Sequence, residues 1–462
     1  MKNNQPTIEQ QRLEAQAQGK ENWHLWGPYL AERAWGTVRE DYSADGKAWE
    51  HFTHDQSRSR AYRWNEDGLG GICDKEQRLC FSLAFWNGCD PILKERAFGL
   101  TGNEGNHGED VKEAYFYLDA TPTHSYLHYR YKYPQSPFPY HQLVQENCRR
   151  NRQEPPFQLN DSGVFNDNRY FDIDVIYAKS NPETILCRIC VTNRGPQTAN
   201  LHLLPTLWFR NNWSWGYGIQ RPQLIVGDPT EDVAWSIEGY YSGLGTYRLM
   251  GRKPAQLLFT ENDSNAEKLW GQPNKLPYVK DAFHRIVIDG EHQAVNPAKQ
   301  GSKSAAWHQL SIESGAKEIL DLTLTNEQIV PTEAECEAIF KQRRQEADQF
   351  YQSLMPVHTS GEDQRIFRQA MAGMIWNKQF YHFDVARWQD GDKIAPPKGR
   401  VGVRNRYWRH LNAHDIIAMP DCWEYPWFAC WDLAYKAIAL ALIDIDFAKK
   451  QMELLLNKLY SS

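Results

Sequence analysis

The sequence predicts a multidomain β + α protein: a large antiparallel β-sandwich over residues 1–330, a linker helix over 331–360, and a helical region over 361–462. Three observations carry that prediction. Alternating or continuous apolar runs of strand length recur between Gln77 and Gln328 with turn signals between them. A charged segment then opens on Thr332 with Glu335 three residues on, the signature of a capping box. Beyond Gly361 the apolar spacing changes from that of a strand to that of a helix.

Taken in order, residues 1–22 are polar and Gln/Glu-rich and fit a short helix or a frayed end. The start, Met1-Lys2-Asn3-Asn4-Gln5-Pro6, lacks the apolar core of a signal peptide. Trp23, Trp26, Trp35 and Trp49 follow among charges. Arg33, Arg39, Glu40 and Asp41 cluster near Trp35, as a surface ion-pair network or as a loop facing a pocket. Ser59-Arg60-Ala61-Tyr62-Arg63-Trp64 fits a strand closed by a turn at Asn65-Glu66-Asp67-Gly68. Residues 77–86 alternate as a strand and turn at Asn87-Gly88. The Gly-rich run from Leu100 to Asp110 lacks phosphate-loop spacing. It reads as a loop presenting Asn106, His107, Glu109 and Asp110, with too few ligands nearby for a metal.

Residues 113–330 read as all-β. Strands are expected at 114–118, 126–131, 171–177, 184–191 and 201–209, with turns at Ser180-Asn181-Pro182 and Asn193-Arg194-Gly195-Pro196. Many strands without intervening helices imply a sandwich. Cys187 and Cys190 stand three apart in a strand, so they face opposite sides and cannot chelate or cycle as a redox pair. Asn211-Asn212-Trp213-Ser214-Trp215-Gly216 is an aromatic loop suited equally to a substrate rim or to packing. The helix after Thr332 is charged along most of its length and reads as solvated. Ile366, Ala370, Met374 and Ile375 then repeat at helical spacing, and residues 389–406 form a Gly-, Lys-, Arg- and Pro-rich loop.

Composition narrows the function. The 462 residues carry a net charge of −6, with a pI near 6.2, which gives no electrostatic case for nucleic acid or an anionic membrane. Mean hydropathy is −0.69, and no apolar run approaches the length of a membrane span. Nine cysteines are few and odd in number, which suits reduced thiols in a cytoplasm. Aromatic residues make up 13% of the chain, including 18 Trp, a composition suited to carbohydrate handling and also to an aromatic-rich core.

The stretch most suggestive of chemistry runs from Met419 to Leu433. Pro420 and Pro426 make residues 420–426 a shaped loop. From Trp427 onward the sequence reads as a buried helix, apolar nearly all round. Asp432 falls in its first turns, behind Trp423, Tyr425, Trp427 and Trp431. A carboxyl group desolvated in such surroundings is held in its protonated form, the state a general acid needs. The Trp and Tyr side chains offer flat apolar faces to a sugar ring.

This segment, from Trp408-Arg409-His410-Leu411 through Asp415-Ile416-Ile417-Ala418 to Trp423-Glu424-Tyr425-Pro426-Trp427 and Trp431-Asp432-Leu433, resembles glycoside hydrolase family 63. The likeness is to its bacterial branch of glucosidases named as mannosyl-oligosaccharide-glucosidase-like. It extends upstream through 26–33, 35–42 and 103–110. The resemblance implies that residues 361–462 are the first helices of an (α/α)6 barrel, incomplete in this chain. It implies an inverting exo-acting α-glucosidase on an oligosaccharide, with Asp432 as general acid and no cofactor. Trp423, Glu424, Tyr425, Trp427, Trp431, Arg409, His410 and Asp415 are the expected substrate-binding residues.

Inversion needs a second carboxylate as base, about 6.5–9.5 Å from the acid. In the family that base lies far beyond the acid, past Ser462, so this chain is expected to be inactive alone and to need a missing C-terminal half of the same gene product. Glu424 is the nearest substitute, though it stands on the same side as the acid and better suits a sugar hydroxyl. The competing class is a non-catalytic carbohydrate-binding protein. A phosphorylase is a third reading, without a visible basic phosphate pocket.

Overall fold

The computed structural model describes residues 5–33, 48–106, 110–228, 232–327, 330–391, 407–419 and 428–458. Its strands, in chain order, are β1 (Trp26–Gly27), β2 (Leu69–Asp74), β3 (Leu79–Trp86), β4 (Gly99–Leu100), β5 (Asp110–Val111), β6 (Tyr115–Ala120), β7 (Tyr126–Pro134), β8 (Tyr170–Asn181), β9 (Thr184–Asn193) and β10 (Ala199–Phe209). There follow β11 (Leu224–Gly227), β12 (Trp235–Tyr241), β13 (Gly245–Gly251), β14 (Gln256–Thr260), β15 (Gln300–Gly301), β16 (Lys303–Ile312), β17 (Lys317–Thr325), β18 (Lys378–Asp384) and β19 (Asn412–Ala418).

Two antiparallel sheets face each other. One has six strands in the order β1-β2-β3-β10-β16-β14, the other nine in the order β15-β11-β12-β13-β17-β9-β8-β7-β6. Strict alternation explains the packing. Leu127, Tyr129, Tyr131 and Tyr133 of β7, Phe171, Ile173, Val175 and Tyr177 of β8, and Ile185, Cys187, Ile189 and Val191 of β9 all point into one core. There they meet Leu79, Phe81, Leu83 and Phe85 of β3, and Phe85 stacks on Tyr131 with ring centroids 5.7 Å apart. Two buried polar bonds cross the layers: Tyr177 Oη donates to Gly70 O at 2.6 Å, and Trp26 Nε1 to Tyr247 Oη at 3.0 Å.

The expected strands between residues 77 and 209 are present, and the sandwich they imply is formed. Cys187 lies in the inter-sheet core and both it and Cys190 are free. Two expectations fail. Residues 59–64 are not a strand: His54–Ser59 is a helical turn capped by the Thr53 hydroxyl, and the chain then runs irregularly. Nor is the β region free of helices, because α2 (Tyr140–Arg149) and α3 (Ala282–Asp289) interrupt it. Both are short amphipathic segments: Leu143 of α2 is buried among Phe98, Phe138 and Phe157, and Phe283 and Ile286 of α3 are buried against the six-stranded sheet.

α1 (Ile8–Ala17) is not frayed; a capping box at Thr7 and Gln10 opens it, and Glu9 is fully buried. Glu9 accepts from Thr123 N and Oγ1 and from Ser125 Oγ at 2.6–2.9 Å, so the helix is bonded to the loop before β7. α4 (Glu333–Leu354) starts at the expected Thr332–Glu335 capping box. Most of its residues are exposed, but one face is buried. Cys336 and Phe340 pack on Ala178 and Leu186, on the outer face of β8 and β9. The apolar residues are too widely spaced among charges to reveal that stripe in the sequence. Arg343 donates to Lys179 O at 2.6 Å, Ser180 O at 3.1 Å and Glu346 at 2.6 Å.

The segment after Gly361 is also less helical than expected. α5 (Gly361–Trp376) packs on β6, with Arg368 paired to Asp119 and Trp376 stacked on Tyr117 at 5.3 Å. Then β18 and β19 form a two-stranded ribbon flanking α6 (Val385–Asp390). α7 (Cys430–Leu440) and α8 (Ile445–Asn457) close the chain as an adjacent pair. The Gln451 amide pins α8 to β19, accepting from Ala418 N and donating to Ile416 O, each at 3.1 Å. No closed ring of helices is present among the described residues.

Removing Arg343 leaves Glu346 and two buried carbonyls short of a donor. Arg343→Ala should cost about 3 kcal/mol, the range for breaking a buried ion pair. Thr332→Ala removes only an exposed cap and should cost about 1 kcal/mol. Urea-unfolding midpoints compare the two, and equal losses would show that the cap, not the buried joint, holds α4.

Candidate active site

Asp432 lies in the first turn of α7, where the helix leaves main-chain N–H groups unbonded and favours a carboxylate. The expectation of a helix buried all round does not hold. Leu433, Ala437 and Leu440 face inward and are buried, whereas Trp431, Tyr435 and Ile438 face outward and are exposed. Trp431 and Tyr435 meet edge to face with ring centroids 5.5 Å apart. Asp432 is half-buried, at the boundary between the two faces rather than sealed in an apolar pocket. The physical reason is that nothing among the described residues covers the outer face of α7.

The other expected site residues are scattered. Arg409 is exposed and holds Asp390 in a bidentate pair at 2.8 and 2.9 Å, which raises the guanidinium and lowers the carboxyl. His410 beside it is exposed. Asp415 is a strand residue opposite Tyr381 in the ribbon, with Lys458 Nζ at 3.4 Å. Trp423, Glu424, Tyr425 and Trp427 lie outside the described residues, as do His107 and Glu109. Asp432 and Trp431 are consecutive in α7, where a helix points neighbouring side chains in different directions, and the Trp431 ring meets Tyr435. The loop at 211–216 ties itself inward: Ser214 Oγ donates to Asp263 at 2.6 Å and Trp215 Nε1 to Asn211 O at 2.9 Å. Packing explains its aromatic residues.

Three buried groups of ionisable side chains escaped sequence reasoning. Glu32 accepts from Tyr117 Oη at 2.9 Å, and the ring of that tyrosine stacks on Trp376. Burial pushes its carboxyl up to about 7, against the lowering effect of that hydrogen bond. A carboxyl poised near neutrality can both give and take a proton. The one sequence signal for it is an acid directly after the apolar run Trp26-Gly27-Pro28-Tyr29-Leu30-Ala31.

The second group gathers around Asp444, whose Oδ2 stands 3.7 Å from both His24 Nε2 and Lys378 Nζ. Burial, then the charge on Lys378, holds His24 well below its ordinary value, and burial lowers Lys378 against the pull of Asp444. A pocket of about 230 Å³ opens there, lined by His24, Tyr29, Lys75, Lys378 and Lys450 among others. The third group, Glu66, Asp67, Glu95, Arg96, Lys280 and Lys303, is a closed ionic network at one end of the sandwich. There Lys303 and Arg96 overcome the effect of burial and hold Glu95 down to about 2. Its members neutralise one another, which fits a structural role. Among the described residues no group of three or more His, Cys, Asp or Glu is placed to hold a metal ion, and no helix is long and apolar enough to cross a membrane.

No protein-family model matches the chain. Uncharacterized protein YMR196W of Saccharomyces cerevisiae is 40% identical over 500 aligned residues, which span 98% of this chain and 46% of that protein. The chain thus spans less than half the length of this relative. Among solved structures, a provisionally assigned kojibiose phosphorylase from human microbiome aligns at a TM-score of 0.25 and 9% identity, over 76% of this chain and 38% of its own. A provisionally assigned aldose 1-epimerase of Escherichia coli K12 aligns at 0.23 and 6%, over 45% of this chain and 67% of its own. A galactose mutarotase related enzyme of Lactobacillus acidophilus aligns at 0.21 and 9%, over 54% and 88%. Overlaps this slight carry no weight for function.

Glu32 makes stability depend on pH with a definite sign. The folded state keeps a proton up to about 7 that an ordinary carboxyl releases near 4.5. Its contribution is complete below pH 4.5 and is lost as the pH rises through 7. Glu32→Gln should remove that decline, on the order of 3 kcal/mol between the two limits. Denaturation midpoints between pH 4.5 and 7.5 read it, and an unchanged slope in the variant would assign the titration to another group.

Proposed function

We propose that the chain is the sugar-binding, acid-bearing part of a carbohydrate-active hydrolase, an inverting exo-acting α-glucosidase on an oligosaccharide in the manner of glycoside hydrolase family 63. The observation that carries the reading is the pair at the start of α7: a half-buried carboxyl on Asp432 next to an exposed indole on Trp431. The indole of Trp431 offers a flat apolar face to a sugar ring, and the carboxyl of Asp432 lies in the same first turn. The likeness of residues 408–433 to the family's acid-bearing segment supports the same assignment.

In this reaction the Asp432 carboxyl gives its proton to the leaving oxygen as the glycosidic C1–O bond breaks. A water attacks C1 from the opposite face, and a second carboxylate takes the water's proton. We assign that base to the part of a longer polypeptide that this chain does not span. In this reading the same part closes over the half-buried Asp432 and shields the reacting bond from bulk water. An oligosaccharide is the partner this reading requires, and no cofactor enters it.

Asp432→Asn in the full-length polypeptide should lower glucose release from α-linked glucosides by roughly 10²–10⁴, the usual contribution of a general acid. The melting temperature should be unchanged, since Asn also suits the first turn of a helix. Retained hydrolysis would remove Asp432 from the mechanism. Sugar binding without product release from the full-length protein would favour a carbohydrate-binding role instead.

A further inference from the structure

A cavity of about 530 Å³ opens on the outer face of the nine-stranded sheet, at its β6 edge. Strand alternation decides what lines it. Tyr115 and Tyr117 of β6, Tyr131 and Tyr133 of β7 and Phe171 of β8 turn toward the core, so Phe116, Lys132 and Tyr170 turn outward. Phe116 is 41% exposed. The facing wall is the segment 158–168, which Leu159 anchors among Phe138 and Phe157. Phe165 of that wall meets the Tyr170 ring edge to face, with centroids 5.5 Å apart. Asp167 and Asn168 both hold positive φ, 55° and 56°, a conformation that Asp and Asn tolerate better than most residues, and Asn168 thereby joins the lining.

The chemistry of the lining selects the ligand. Phe116, Phe165 and Tyr170 supply aromatic surface, and Gln158, Asn160 and Asn168 supply amides around it. The Asn160 and Asn168 side chains have no hydrogen-bond partner among the described residues. An amide both donates and accepts, as a sugar hydroxyl does, and the C–H face of a pyranose ring packs on an aromatic ring. Lys132 Nζ stands 3.7 Å from the centroid of the Tyr170 ring and 3.2 Å from Asp172 Oδ1. Its charge is thus already matched, so the lining offers no unmatched cation to a phosphate or a carboxylate. The acid in the lining, Glu113, is engaged by Lys94 Nζ at 2.8 Å and Tyr131 Oη at 2.7 Å. A neutral ligand fits this balance. The volume falls within the usual range of small-ligand pockets, roughly 300–1,000 Å³.

We propose that this cavity is a saccharide-binding site on the sandwich, distinct from Asp432 on α7, and that it takes a neutral oligosaccharide. Phe116 is the stacking platform, because Lys132 already covers the Tyr170 ring. The hydroxyls of the stacked ring bond to the amides of Asn160 and Asn168. The site stands whether or not Asp432 is an acid.

The test screens the 462-residue chain on an array of neutral gluco-, manno- and galacto-oligosaccharides, with sugar phosphates alongside, and titrates the strongest ligand by calorimetry. Phe116→Ala and Asn168→Gly should each weaken binding about 10-fold. Both side chains are exposed, and Gly accepts the φ of Asn168, so both variants should melt as the parent does. Binding lost in Trp431→Ala but kept in these two variants would assign the sugar to α7, overturning the inference and leaving the proposed function standing. Binding weakened by the two variants, with hydrolysis by the full-length polypeptide indifferent to Asp432→Asn, would uphold the inference and remove the proposed function. Binding of no neutral saccharide, or of sugar phosphates alone, would overturn the inference.

Discussion

The buried ammonium of Lys179 is the joint on which the layers depend. It lies at the end of β8 and donates to Trp23 O and Trp26 O, both at 2.6 Å. Burial lowers it to about 7, with Glu9 opposing. A buried cation is tolerable only where carbonyls replace its water, and here those carbonyls belong to the segment that leads into β1. The carbonyl of the same residue accepts from Arg343, which brings α4 to the sheet, and Arg343 shares Glu346 with Arg12 of α1. One residue thus joins the N-terminal segment, the nine-stranded sheet and the helix that leads to the last third of the chain.

From that joint the position of the C-terminal elements follows. α4 delivers the chain to α5, whose Trp376 and Arg368 engage Tyr117 and Asp119 on β6. β18 then passes beneath the N-terminal segment, where Phe380 N donates to Tyr29 O at 3.1 Å. Phe52, Tyr62 and Trp64 form one cluster with Tyr381, Phe383 and Leu433, so α7 is seated on residues from the far end of the sequence. Asp432 is therefore held on a packed inner face although its own surroundings are open. Among the described residues the inner side of the candidate site is packed and its outer side is open.

The same division governs the electrostatics. Wherever the two layers close fully, ionisable groups are shifted by desolvation, as at Glu32, His24 and Lys179. At α7 the layer is single, and Trp431 and Tyr435 meet no covering element among the described residues. An aromatic-rich stretch has the composition of an enclosed pocket. Composition alone does not enclose it, because burial is a property of both sides of an element.

The sequence by itself determined the sandwich, because a two-residue alternation such as Phe171, Ile173, Val175, Tyr177 leaves one way to bury a face. It also determined the start of α4, because capping at Thr332 and Glu335 is a local bond. It placed Asp432 beside Trp431 at a helix start for the same reason. Only the tertiary structure decided what the outer sides of the elements touch. Arg343 in a charged run proved to be a buried tie, Glu32 in a loop proved to be buried and bonded to Tyr117, and residues 412–418, near a helical stretch, proved to be a strand by pairing with residues 378–384. Those outcomes depend on distant partners: Tyr117 stands 85 residues from Glu32, and Lys179 stands 164 residues from Arg343. Local pattern fixes periodicity and caps, but the burial of a charge or the pairing of an edge is set by which distant segment arrives beside it.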